Sequence, residues 1–326
     1  MRKIALLLLL CISCKQETKL QQNLTSGEVF GTYYNIQFFD TKTVDYSKQY
    51  DSLFSEINKS MSTYIPTSDI SKINLNDTTV VVDYHFKKVF DLSKDIYNNT
   101  DGFFDPTIGV LVNAWDFGPE GKIIALDSLK IDSLLQYVGF EKVKRQLGRI
   151  EKLPQTFIDF NAIAKGYGLD VIAEFLNDQG HDNYLIDIGG EIVARGTNLM
   201  RQNNWHVGIE KPNFDGSQSQ QIAVALKDEA MATSGVYRKF KIDANGNKYA
   251  HIINTKTGYP SKTNILSVSV IAPTCAVADA YATAFKAMGI EKVKLFLEGH
   301  PELKVYFIYE DANKQLQTLA LNSFPE

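Results

Sequence analysis

The sequence predicts an α+β fold of packed layers, and three observations carry that reading. Segments that alternate apolar with polar side chains, rich in aromatic and β-branched residues, are interspersed with segments whose apolar residues recur at helical spacing. Tight-turn signals join the strand-like segments, including a hairpin centred on Asn245 and Gly246, so antiparallel pairing dominates the expected sheets. Of the 326 residues 44% are apolar, enough for one large core or two smaller ones, and the composition excludes a disordered chain.

The elements follow in order. MRKIALLLLLCISCK places two positive charges before an apolar run, Ile4 to Ile12, too short to cross a bilayer, which reads as a secretory signal peptide over residues 1–13. Ser13 followed by Cys14 resembles the lipobox of bacterial lipoproteins, making Cys14 the acylated first residue of the mature chain. Cys11 stands where that pattern usually has Leu; a plain signal peptide cut elsewhere, or lipidation at Cys11, are the alternatives. Residues 14–27 are polar and read as a flexible tether, with one folded domain over 28–326.

VFGTYYNIQFF reads as a strand. Tyr46, Tyr50, Leu53, Phe54, Ile57 and Met61 mark a helix, and a second runs from His85 to Tyr97. From Phe157 onward come strand TFIDF, helix AIAKGYGLDVIAEFL closed by Gly180, strand NYLIDI, and EIVARG after the break at Gly189 and Gly190. WHVGIEKP, QIAVALKD and MATSG are further strands, and YRKFKIDANGNKYAHII is the hairpin. Strand NILSVSVIA, helix TCAVADAYATAFKAMG, helix IEKVKLFLEG and strand KVYFIYE complete the domain.

With the leader removed and Cys14 acylated, only Cys275 remains free, so the exported domain forms no internal disulfide and rests on its core. Loss of Arg2 and Lys3 leaves 32 basic against 38 acidic residues, a net charge near −6 that argues against a nucleic-acid partner. Beyond the leader no CxxC occurs, the chain has no HExxH, GxGxxG, GxSxG or P-loop, and His85, His181, His206 and His300 show no metal-ligand spacing.

Four clusters could carry chemistry. In ADAYATAF, Asp279 and Thr283 lie i, i+4 on one helix face and offer hard oxygen ligands suited to Mg²⁺. Alternatively Asp279 bonds a nearby backbone and Thr283 bonds back to the carbonyl of residue 279. In TDGFFDPTIG, Pro106 keeps Asp105 out of a helix; a plain turn explains this equally. DFNAIAKGYGLD takes Asp159 into a helix start carrying Lys165, Gly166 and Gly168, fit either for phosphate or for close helix packing. His251, in YAHIINTKTGYP, is placed to take a proton near neutral pH, or to make a structural hydrogen bond.

These stretches, together with FGTYYNI, MSTYIPTSDISKIN, YLIDIGGEIVARG and MATSGVYR, resemble the ApbE-like FAD:protein FMN transferases, in that family's order over residues 29–289. The resemblance implies a T-fold-like architecture, FAD as substrate, and Mg²⁺ on its pyrophosphate. FMN is transferred through a phosphoester to a Thr or Ser of another protein, and AMP is released. It implies metal ligation by Asp279, Thr283 and the Ala162 carbonyl, and FAD contacts from Phe30, Tyr64, Phe103, Phe104, Asp105, Asp159, Lys165 and Ile253. His251 is the candidate base, with Asp159 or Asp105 as orienter. The chain departs from the family at Asn254, usually Asp, and at Ala282, often an acid. The implied clients are exported domains of membrane redox flavoproteins, met by an enzyme lipid-anchored to a bacterial membrane and facing the periplasm. A Mg²⁺-dependent FAD pyrophosphatase and a non-catalytic flavin-binding lipoprotein are the competing readings.

Overall fold

The computed structural model describes residues 19–325, apart from 122, 124, 125, 214, 216, 218, 236–239, 243–247 and 262. The leader with Cys11 and Cys14, and the hairpin tip at Asn245 and Gly246, lie outside the described residues.

The first element corrects two expectations. Strand β1, Gln21–Val29, pairs with β2, Thr32–Asp40, so the domain begins within the stretch assigned to the tether. VFGTYYNIQFF is therefore not one strand. It turns at Phe30 and Gly31, whose φ of 52° and 73° make the left-handed two-residue turn that matches hairpin twist. The polar pattern of β1 hid it, because only Asn23 and Val29 are buried along this edge strand.

Helices α1, Ser47–Met61, α2, Asp69–Asn74, α3, Tyr84–Asn99, α4, Gly109–Ala114, and α5, Ser128–Leu135, come next, followed by a small hairpin of β3, Lys144–Gln146, and β4, Arg149–Glu151. TFIDF does not enter a sheet; it is extended and makes one parallel bridge, Ile108 with Phe157. Helix α6, Ala164–Asp178, leads to β5, Tyr184–Ile188, and β6, Glu191–Arg195. β7, Trp205–Glu210, and β8, Gln220–Leu226, form a separate hairpin. β9, Glu229–Gly235, β10, Phe240–Ile242, β11, Lys248–Ala250, β12, Ile265–Ala272, α7, Cys275–Met288, α8, Ile290–Leu297, β13, Lys304–Glu310, and β14, Leu316–Leu321, finish the chain. The last strand extends beyond the expected closing strand KVYFIYE.

The main sheet has eight strands in the order β1-β2-β5-β6-β9-β12-β13-β14, and every neighbouring pair is antiparallel. Helices cover one face: Phe54 of α1 and Leu169 and Ile172 of α6 pack on Ile36, Phe38 and Ile186, while α3, α7 and α8 pack on β12 and β13. The β7–β8 hairpin covers the other face through Trp205, Val207, Ile209, Val224 and Leu226. β12 lies between these layers and is buried along its whole length, which is why ILSVSVIA is nearly unbroken in apolar and small residues.

At the centre of the helical layer α6 and α7 cross with their backbones in contact. A Cβ on Gly166 would stand 2.4 Å from the Cys275 carbonyl oxygen, so packing alone requires this glycine. Asp170 of α6 accepts from the N–H groups of Cys275, 2.7 Å, and Ala276, 2.8 Å, and so caps α7 in place of a side-chain cap from its own N-terminus.

Candidate active site

A cavity of about 1050 Å³ opens where the helical layer meets the β5–β6 turn, and every residue that the sequence singled out for flavin, metal or proton chemistry lines it: Phe30, Tyr64, Phe103, Phe104, Asp105, Asp159, Ala162, Lys165, His251, Ile253, Asp279 and Thr283. They come from segments far apart in sequence, and particular contacts bring them together. The Asp159 N–H donates to Pro106 O at 2.8 Å, joining the Asp105 turn to the start of α6. Phe30 stands edge-on to Phe54, ring centroids 5.6 Å apart, against the space left by Gly168. Lys292 holds its ammonium 4.5 Å from the Phe103 ring centroid, and Tyr64 is exposed at the rim.

Helix α7 faces Asp279 and Thr283 to the cavity. Asp279 is only 9% exposed, and its Oδ2 accepts from the Gly166 N–H at 3.1 Å, a bond between helices rather than a local cap. Its other oxygen takes no protein donor among the described residues, and Thr283 does not bond back to the carbonyl of residue 279. Lys165 lies beside this carboxylate, with its Nζ 2.5 Å from Oε2 of Glu191, itself only 5% exposed. Burial opposes the charge on Lys165, but the Glu191 carboxylate and then that of Asp279 outweigh it and hold the amine above its usual pKa. Burial raises the carboxyls: Glu191 to about 7, opposed by Lys165 and reinforced by Asp279, and Asp279 upward, opposed by Lys165 and the Gly166 N–H.

Burial also lifts Asp105 to about 6, although the Thr107 hydroxyl and N–H donate to its Oδ1 at 2.6 and 2.8 Å. That oxygen is engaged by Thr107. His251 is half-buried, its ring edge-on to Phe117 with centroids 6.2 Å apart. Asn254 keeps the turn that an Asp would make there, accepting from Lys256 N and Thr257 N at 2.9 and 3.2 Å. Ala282 is buried in the core and does not line the cavity.

Sequence reasoning missed two residues. Glu191 read simply as the first residue of a strand, and Asp170 as a helix position. The available signal was the one that exposed Asp279: an acid set among apolar neighbours. Among the described residues that line the cavity, Asp105, Asp159, Asp187, Glu191, Glu210 and Asp279 face one lysine, Lys165. A wall of that composition repels anions unless a cation accompanies them.

A profile of the ApbE family matches residues 30–307. A relative named FAD:protein FMN transferase in Haemophilus influenzae is 32% identical over 315 residues, 92% of this chain and 90% of its own. One of the same name in Vibrio cholerae is 35% identical over 294 residues, covering 87% and 86%. The solved flavin transferase ApbE from Vibrio cholerae matches with a TM-score of 0.83 at 32% identity, over 94% of this chain and 99% of that one. A profile match along most of the sequence, an alignment of near full length and a common fold converge: the chain belongs to the ApbE family.

Proposed function

We propose that this protein is an FAD:protein FMN transferase. The observation that carries the reading is the convergence, in one open cavity, of aromatic faces at Phe30, Tyr64 and Phe103, the Lys165 ammonium, and the oxygen donors Asp279, Thr283 and Ala162. In the reaction, the hydroxyl oxygen of an acceptor Thr or Ser bonds to the phosphorus of the FMN half. The bond from that phosphorus to the bridging oxygen breaks, and the bridging oxygen leaves with AMP. The hydroxyl proton passes to His251, the base we assign. Lys165, fixed by Glu191, offers a positive charge to the pyrophosphate.

The donor set fits Mg²⁺: one carboxylate with a free oxygen, one hydroxyl and one carbonyl, leaving positions for water and phosphate, in a cavity whose acids outnumber its lysine. Asp279, Thr283 and the Ala162 carbonyl would hold the ion, which when bound neutralises charge developing on the phosphates. Phe30, Tyr64, Phe103, Phe104, Asp105, Asp159 and Ile253 are assigned to FAD. The acceptors are exported domains of membrane redox flavoproteins, reached by a domain exported and tethered through acylated Cys14 to a membrane, on its periplasmic side.

The test is to incubate the protein with FAD, Mg²⁺ and such a domain, and to read intact mass and in-gel flavin fluorescence. A Mg²⁺-dependent gain equal to FMN on the acceptor, lost in Asp279→Asn, supports the transferase. The asparagine keeps an oxygen for the Gly166 N–H, so the circular dichroism of the variant should match the parent. FMN and AMP without labelling would point to the pyrophosphatase, and bound but intact FAD to the binding protein.

A further inference from the structure

We propose that the β5–β7 wall of the cavity, together with the amide-lined cleft that continues it, receives the acceptor protein's segment in extended form and delivers its hydroxyl to the flavin substrate. The inference rests on the transferase reading, which requires a second, macromolecular substrate beside the pyrophosphate. The residues assigned to flavin and metal come from the Phe30 turn, the loop after α1, residues 103–105 and 159–165, Ile253 and α7; none comes from β5 or β7. Yet the cavity continues past Gly189 and Gly190 to Leu185, Asp187, His206, Gly208 and Glu210.

Strand β7 alternates. Trp205, Val207 and Ile209 enter the core beneath the sheet, while His206 and Gly208 face outward and are exposed. Gly208 is not required by packing, since a Cβ there would meet nothing closer than Gln220 at 3.6 Å. A glycine of that kind on an outward strand position lets another backbone approach closely. Beyond it lies a second cleft of about 440 Å³ that shares Leu185 and His206 with the main cavity. Its polar lining is Gln22, Gln37, Asn198, Asn203, Asn204 and Arg201 alongside His206, with no carboxylate among the described residues. Primary amides both donate and accept, as the N–H and C=O groups of an extended chain require.

The test uses an exported flavoprotein domain that the protein labels, with the variants Asn204→Trp, which fills the cleft, and Arg201→Glu, which reverses its charge; both side chains are exposed, so folding is spared. The expected result is a tenfold or greater rise in KM for the acceptor, with kcat and the Kd for FAD, from flavin fluorescence, within twofold of the parent. Parent-like acceptor KM in both variants would overturn the acceptor path while leaving the transferase intact. A loss of FAD affinity in step with acceptor KM would assign the cleft to flavin and also overturn it. If the parent protein labels none of a set of such domains, the transferase reading falls, and the acceptor path falls with it.

Discussion

Asp279 and Glu191 are buried carboxylates that share one ammonium, and their roles differ by geometry. Asp279 faces the cavity from a helix with one oxygen uncommitted, whereas Glu191 holds Lys165 at 2.5 Å from the strand below. Removing one partner of a buried pair leaves the other charge uncompensated, so the residue that loses its partner sets the consequence. Glu191→Gln keeps the shape and an acceptor oxygen but withdraws the charge that offsets burial of Lys165. Its kcat/KM for FAD should fall at least tenfold while the circular dichroism spectrum is retained. Steady-state flavin-transfer kinetics at fixed Mg²⁺ measure this, and a parent-like value would show that Lys165 needs no fixing.

Helix α7 is held at both ends by contacts from other elements. Asp170 caps its start, and near its end Lys286, 1% exposed, donates from Nζ to Thr263 Oγ1 at 3.0 Å and to the Ile265 carbonyl. Burial lowers the Lys286 amine to about 7. In the unfolded chain it loses its proton only near ~10.4. Between those values the unfolded state holds more protons, so this group makes stability rise with pH from about 7 to about 10. In Lys286→Met that rise should flatten, as read by urea unfolding at a series of pH values; an unchanged slope would place its source elsewhere. At the other end of the sheet, β1 shields the edge of β2, and Asn23 ties it to the segment after β2 by donating to Lys42 O at 3.1 Å and accepting from Val44 N at 2.8 Å. A chain begun at Glu28 exposes the β2 edge and loses both bonds. It should melt about 3–5 °C below one begun at Lys19 and aggregate more readily, in a thermal scan with light scattering.

The molecule as a whole presents an acid-lined cavity to an anionic dinucleotide. FAD should therefore bind at least tenfold more weakly in EDTA than with Mg²⁺, by fluorescence titration; equal affinities would remove the cation from recognition. The early start of β1 also bears on how the enzyme meets its clients. With Cys14 acylated as proposed, only residues 15–20 separate the anchor from the fold, a reach of about 20 Å. On that proposal the tether would keep the cavity near membrane-bound acceptors.

Periodicity and apolar runs were enough to find the long elements: α1, α3 and α6 bury one stripe each, α7 is buried on nearly every side, and β12 reads as a strand covered on both sides. The order of the motifs determined the family and, through it, the flavin and metal assignments. Short α2, α4 and α5 escaped that reading because six or eight residues are too few to show a helical repeat, and the edge strands β1 and β14 because they bury at most two residues each. Tertiary structure alone decided that Gly166 serves helix crossing, that Asp170 caps a helix 105 residues away, that Glu191 holds Lys165, and that β7 adds a wall to the cavity. The physical reason is common to all four. A periodic pattern records which side of an element is dry, whereas the partner of a buried charge, a cap or a close backbone approach is fixed by segments that meet only when the layers pack.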